Sequence, residues 1–213
     1  MINKIEKYTM PLGMIGVIAY LIHTNLGRIL WSDYNPITTD ISSLTAVGAP
    51  NRELLIVFTY IYGILMILFI AGLLIRSFKQ YHTSVKIGYI IMLIMQVVSF
   101  IGYNLFPLTG DKTVMNFQNM LHIIVTVIVV FTTITSGYFL AFGYIKQEKK
   151  QKLGKFILIM AVIITIFGML NPIAINMKLN ILGITERLVI YSLQLMLFVV
   201  SAYYTFNKQK KVK

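Results

Sequence analysis

Six apolar runs divide this chain: Met10 to Leu30, Leu54 to Ile75, Ile87 to Leu105, Leu121 to Ile145, Phe156 to Ile175 and Leu188 to Phe206. Each is close to the roughly 20 residues that a helix needs to cross a bilayer core. Ile, Val and Phe are frequent in them, a composition that favours strands in water. In hydrocarbon every backbone N–H and C=O must be paired within its own segment, so runs of this length predict helices. The expected fold is an all-α membrane protein: a six-transmembrane-helix bundle that occupies residues 1–213 as a single integral membrane domain. Asn35-Pro36, Asn104 with Pro107, and Asn171-Pro172 fall where every second run ends. Proline disfavours helix continuation, so these positions predict three helical hairpins.

Composition agrees. Of the 213 residues 57% are hydrophobic and 12% are charged, with mean hydropathy +0.78. Six spans with short loops leave no room for a soluble catalytic domain. The net charge of +12 would prompt a search for nucleic acid in a soluble protein, but its placement excludes that reading. Of the 19 basic residues, all but Arg28, Arg52, Lys112, Lys178 and Arg187 flank one set of span ends: Lys4 and Lys7, the turn Arg76 to Lys86, the turn Lys146 to Lys155, and the tail Lys208, Lys210, Lys211 and Lys213. Lysine and arginine gather on the cytoplasmic side, so the expected orientation is N-in/C-in. The acids run the other way, with Asp33, Asp40, Glu53, Asp111 and Glu186 outside. The polar start, Met1 to Tyr8, followed by a long apolar run, reads as a retained first span rather than a removed signal peptide. The Lys-heavy, Ile-rich composition without cysteine fits a bacterial plasma membrane. The absence of cysteine excludes disulfides and thiol chemistry.

Three constellations on the outer side carry candidate chemistry. The longest outer loop, Trp31 to Glu53, holds Thr38-Thr39-Asp40-Ile41-Ser42-Ser43-Leu44 and Val47-Gly48-Ala49-Pro50. It predicts a short interfacial helix with Asp40 as N-cap and Gly48 as its stop. Asp40, Ser42 and Ser43 would then rim a pocket, or simply cap and face solvent. The second constellation is Asn104 to Pro107, Asp111 and His122. His122 falls near the start of the fourth span, a turn or two below the surface. An ionisable group at that depth faces a cavity or a partner. Asp111 or Asp40 would orient it as a base; the alternative is a bond to a loop carbonyl. The third is Gly183-Ile184-Thr185-Glu186-Arg187, where Thr185 would cap the last span and Glu186 suits its dipole. Arg187 would pair with a loop acid or grip an anionic group. His23 and Asn25 would line the same cavity. Gln96, Ser99 and Gln194 would make interhelical hydrogen bonds. No P-loop, dinucleotide fingerprint, HExxH or GxSxG occurs, and His23, His82 and His122 have no metal-ligand spacing. No cofactor and no metal is expected.

Taken in order, Asp40-Ile41-Ser42-Ser43-Leu44 with Pro50, Phe106-Pro107 with Asp111 and His122, and Gly183 with Glu186-Arg187 resemble the bacterial and archaeal membrane proteins grouped as the domain of unknown function 998 (DUF998) family. The resemblance covers nearly the whole chain. That family's pattern has an acid after the first serine of the loop motif, where this chain has Ser43. The resemblance implies the fold and the place of the site, and no particular reaction.

Three functions are weighed. In the first, an outward-facing pocket binds a lipid or small amphiphile, with Arg187, Glu186, His23 and Ser43 as ligand-binding residues and membrane lipids as the other partners. In the second, a hydrolase or acyltransferase uses His122 as base, Asp40 or Asp111 as its orienter and Ser42 or Ser43 as nucleophile. In the third, the protein is a structural or regulatory subunit. The inner halves of the spans hold few polar residues, which argues against a through-channel.

Overall fold

The computed structural model describes residues 2–112, 114 and 116–207. Among them six helices are long and apolar enough to cross a membrane, no strand is present, and the protein is a multi-pass membrane protein. The basic tail at Lys208, Lys210, Lys211 and Lys213 lies outside the described residues.

The helices are α1 (Ile2–Thr9), α2 (Leu12–Leu30), α3 (Arg52–Gln80), α4 (Thr83–Leu105), α5 (Phe117–Phe142), α6 (Gln151–Asn176) and α7 (Leu182–Phe206). Pro11 stands between α1 and α2, and the two together make the first span. A wide π turn, Gly143–Gln147, extends α5. Most spans outrun their apolar runs, and the added polar residues at these ends, such as Arg76, Thr185 and Glu186, are buried and bonded within the protein. Thus α3 reaches Gln80, past the end of its run at Ile75, and α7 starts at Leu182, before the run at Leu188.

Two expected boundaries differ. Pro172 lies inside α6 rather than ending it. A proline removes only one backbone donor, and the last turns are held by Met177 N–H to the Ile173 carbonyl (2.9 Å) and Leu179 N–H to the Ala174 carbonyl (2.9 Å). Thr185 is likewise within α7 and caps nothing; its hydroxyl donates to Asn171 Oδ1, tying α7 to α6.

Each long helix packs on its neighbour in sequence, and α7 closes back on α2. The ring is therefore three hairpins side by side. At the basic end α1 is fastened by the Glu6–Arg76 ion pair. Arg76 Nε also donates to the Tyr81 hydroxyl (3.1 Å), which receives Lys150 Nζ (2.6 Å) and meets Tyr204 (3.0 Å). Tyr144 bonds both Tyr204 and Tyr89 at 2.6 Å. Burial acts to raise the Tyr81 phenol, but the bonds from Lys150, Tyr204 and Arg76 outweigh it and hold it below the ordinary tyrosine value. Around this cluster Phe69, Ile70, Leu73, Val85, Leu140 and Ile157 are buried in a shared apolar core. Two cavities are lined by the loops and span ends of the other half of the bundle.

Candidate functional site

At the acidic end the loops between α2 and α3, α4 and α5, and α6 and α7 fold onto one another. The first loop holds a short helix, a single 3-10 turn over Ser42–Thr45. Its Leu44 is fully buried with Tyr34, Ile41 and Leu55, while Ser42, Ser43 and Thr45 are half-buried. Asp40 is not a cap: the residue before the turn is Ile41, without a side-chain cap. Gly48 adopts φ +83, in the left-handed region open to glycine, and the residue before it joins the neighbouring loop through Val47 N–H to the Leu108 carbonyl (2.8 Å).

Arg187 locks this loop to α7. Its Nη1 donates to the carbonyls of Pro36 (2.7 Å), Thr39 (3.0 Å) and Gly183 (3.0 Å), and its Nη2 to the Tyr34 hydroxyl (2.5 Å). Tyr34 in turn donates to the Asp40 carbonyl at 2.8 Å. Burial pushes the Tyr34 phenol up to about 12 although Arg187 pulls the other way. The approach requires a glycine at 183, because a Cβ there would sit 2.5 Å from the carbonyl oxygens of Pro36 and Thr39.

The acids are held by a lysine. Lys112 Nζ lies 3.0 Å from Asp40 Oδ2 and 3.3 Å from Glu186 Oε2. Ser43 donates to the other oxygen of Asp40, and Ser42 to Glu186 Oε1 at 3.2 Å. Burial raises the Asp40 carboxyl, but Lys112 and Ser43 outweigh it and hold it below the usual range. Burial lowers the Lys112 ammonium, while Glu186 and Asp40 outweigh that and raise it above the ordinary lysine value. The lysine's loop is set by Asn119, fully buried on α5. Asn119 Oδ1 accepts from Thr109 N–H (2.8 Å), and its Nδ2 donates to the carbonyls of Thr109, Asp111 and Val114.

This layer has two faces. Its outer face, with Asp40, Ser43, Asp111, Lys112 and Lys178, lines a broad depression of about 840 Å³. Its inner face, with Ser42 and Glu186, roofs a smaller cavity of about 170 Å³ among α2, α3, α4, α5 and α7. His23, Tyr62, Gln96, Tyr103, His122 and Gln194 line that cavity. His122 Nδ1 contacts the Phe106 carbonyl at 2.8 Å. Gln194 Nε2 donates to the Tyr62 hydroxyl at 2.9 Å. Five polar atoms of these lining residues are buried without a protein partner: His23 Nδ1 and Nε2, Gln96 Nε2, His122 Nε2 and Gln194 Oε1. Each parent residue is 3% exposed or less. Leaving such a group unsatisfied costs about 1–3 kcal/mol. All four parent residues line the one cavity.

Of the residues singled out in the sequence, His23, Ser42, Glu186 and His122 meet at the cavity, and Gln96, Ser99 and Gln194 join them. Asp40, Ser43 and Asp111 lie on the outer face of the layer. Arg187 lines neither space, and Asn25 turns outward to bond its own helix at the Leu21 carbonyl. Neither serine bonds His122; each is on a carboxylate. Lys112, Asn119, Tyr62 and Tyr103 were not singled out. Lys112 had one signal, as a basic residue on the acid-rich side; the tyrosines are indistinguishable in sequence from an aromatic belt.

A family model described as a protein of unknown function, DUF998, matches residues 14–203. No curated protein and no solved structure matches the chain.

Proposed function

This chain belongs to the DUF998 family, which brings no activity with it, and from its own residues we propose that it binds the polar part of a lipid or small amphiphile in the cavity beneath its loop layer. The observation that carries this reading is the set of five buried, unpartnered polar atoms on four residues that line that single space. A ligand that fills them recovers hydrogen bonds the protein alone leaves unmade. By the positive-inside rule the basic end faces the cytoplasm of a bacterial plasma membrane, so the cavity lies in the outer half of the bilayer. Arg187 acts here by holding the roof in place rather than by gripping an anion.

The hydrolase or acyltransferase reading has less behind it, since His122 is bonded to a backbone carbonyl and, among the described residues, no hydroxyl nucleophile is bonded to it. The structural-subunit reading would have the cavity carry water alone. Mass spectrometry of lipids that co-purify in a mild detergent without a sugar head tests all three. Wild type should retain a species that His122→Leu and Gln96→Leu lose. Identical lipid profiles in the three proteins would overturn the binding reading.

A further inference from the structure

We propose that the buried part of the ligand is an uncharged, hydroxyl-bearing head group about the size of one sugar ring, a deepening that rests on the binding reading above. The unpartnered atoms define the chemistry. A carbonyl only accepts, so the His122 nitrogen facing Phe106 carries the proton; burial disfavours a charged ring, and the neutral ring leaves Nε2, on a residue that lines the cavity, as an acceptor without a protein partner. Gln194 gives its amide N–H to Tyr62 and presents Oε1, a second acceptor. Gln96 presents Nε2, a donor, and a neutral His23 presents one donor and one acceptor. Donors and acceptors are thus mixed around one space. A phosphodiester or an ionised carboxylate only accepts and would leave the His122 and Gln194 lone pairs unmatched. An ammonium only donates and would leave the Gln96 amide unmatched. A hydroxyl does both from one atom.

The charges agree. Glu186 is held by Ser42 and Lys112, and Asp40 by Ser43 and the same lysine. Arg187 is on carbonyls and Tyr34, and Arg52, at the cavity's edge, is on Glu53 and the Thr45 carbonyl. A charged head group entering the cavity would lose water without meeting an unengaged counter-charge. The walls are aromatic: Tyr20 and Tyr62 lie 4.8 Å apart between ring centroids, and Tyr103 lies 4.9 Å from the His122 ring. Flat rings of this kind suit the C–H faces of a sugar. The volume, about 170 Å³, is close to the ~150 Å³ of a cavity that holds one benzene.

The test uses the full chain in phosphatidylcholine nanodiscs, because maltoside and glucoside detergents would themselves offer sugar heads. Monoglucosyl diacylglycerol, phosphatidic acid and phosphatidylethanolamine are added in turn, with free glucose as a separate arm, and binding is read by native mass spectrometry. The glucosyl lipid should be retained about tenfold or more over either charged lipid, the factor that one buried hydrogen bond supplies. His23→Leu should remove that preference while thermal stability is unchanged or higher, because it replaces two unpartnered nitrogens by hydrocarbon. Gln96→Leu is the second variant should the first fail to fold. Binding of free glucose with the same sensitivity supports the sugar chemistry and makes the source soluble. Retention of a charged lipid that His23→Leu abolishes overturns the head-group class and leaves the binding reading standing. Retention of no added molecule overturns both.

Discussion

Lys112 and Asp40, 72 residues apart in the chain, meet with the ammonium 3.0 Å from a carboxylate oxygen. Through that lysine, which also bonds Glu186, the α4–α5 loop is joined to both the first loop and α7. Two buried acids share one base, so the three elements stand or fall together.

Lys112→Met should therefore lower the stability of the acidic end by about 3–5 kcal/mol, the range for breaking a buried pair from one side. The loss arises from two carboxylates left without their cation. Neutralising them as well, in Lys112→Met with Asp40→Asn and Glu186→Gln, should recover most of the thermal midpoint in detergent. A triple variant no more stable than the single one would show that the charges are not the cause.

The same layer predicts a pH profile. Asp40 titrates below the ordinary carboxylate value in the fold, so its contribution is present above that value, near 3.9, and is lost as pH falls through its lower folded value. Lys112 titrates above the ordinary lysine value; its contribution is complete below about 10.4 and is lost as pH rises through the higher folded value. Between these limits the part of the thermal midpoint due to this pair should be flat. Its alkaline fall should vanish in Lys112→Met, and a fall that persists there unchanged would assign it elsewhere.

Gly183→Ala places a methyl group where two loop carbonyls already lie. Overpacking of this kind costs about 1–3 kcal/mol, and it acts on the seat of Arg187. We expect faster proteolysis within residues 31–51 in detergent, with Arg187→Lys giving the same pattern because an ammonium cannot reproduce the fork. Tyr34→Phe, which removes one hydroxyl from the Arg187 set, should have the smaller effect of about 1 kcal/mol.

Orientation is open to direct measurement, since the chain has no cysteine of its own. Ser32→Cys, exposed on the first loop, should react with a membrane-impermeant maleimide in intact cells, and Gln151→Cys, exposed at the basic end, only after lysis. The reverse pattern would put the cavity in the inner leaflet.

The sequence alone determined the spans, because backbone pairing within a helix is local and hydrocarbon makes it obligatory. A run such as Leu54 to Ile75 announces its helix whatever surrounds it. The opposed distribution of lysines and acids likewise separated the two ends of the bundle before any contact was known. His122 was readable as far as its two alternatives, a carboxylate or a loop carbonyl, and the Phe106 carbonyl is the partner found.

Tertiary structure decided which side chains meet. Whether Arg187 reaches an acid or a row of carbonyls depends on the rotation of α7 about its axis and on the fold of a loop some 150 residues earlier, at Pro36 and Thr39. Asp40 reads locally as a cap, but a lysine from another loop takes its carboxylate. Gln96, Gln194, His23 and His122 sit on four different helices, and nothing in any one of those helices records that the four residues line a common space. Helix formation is a property of a segment; a cavity is a property of how segments are turned toward one another.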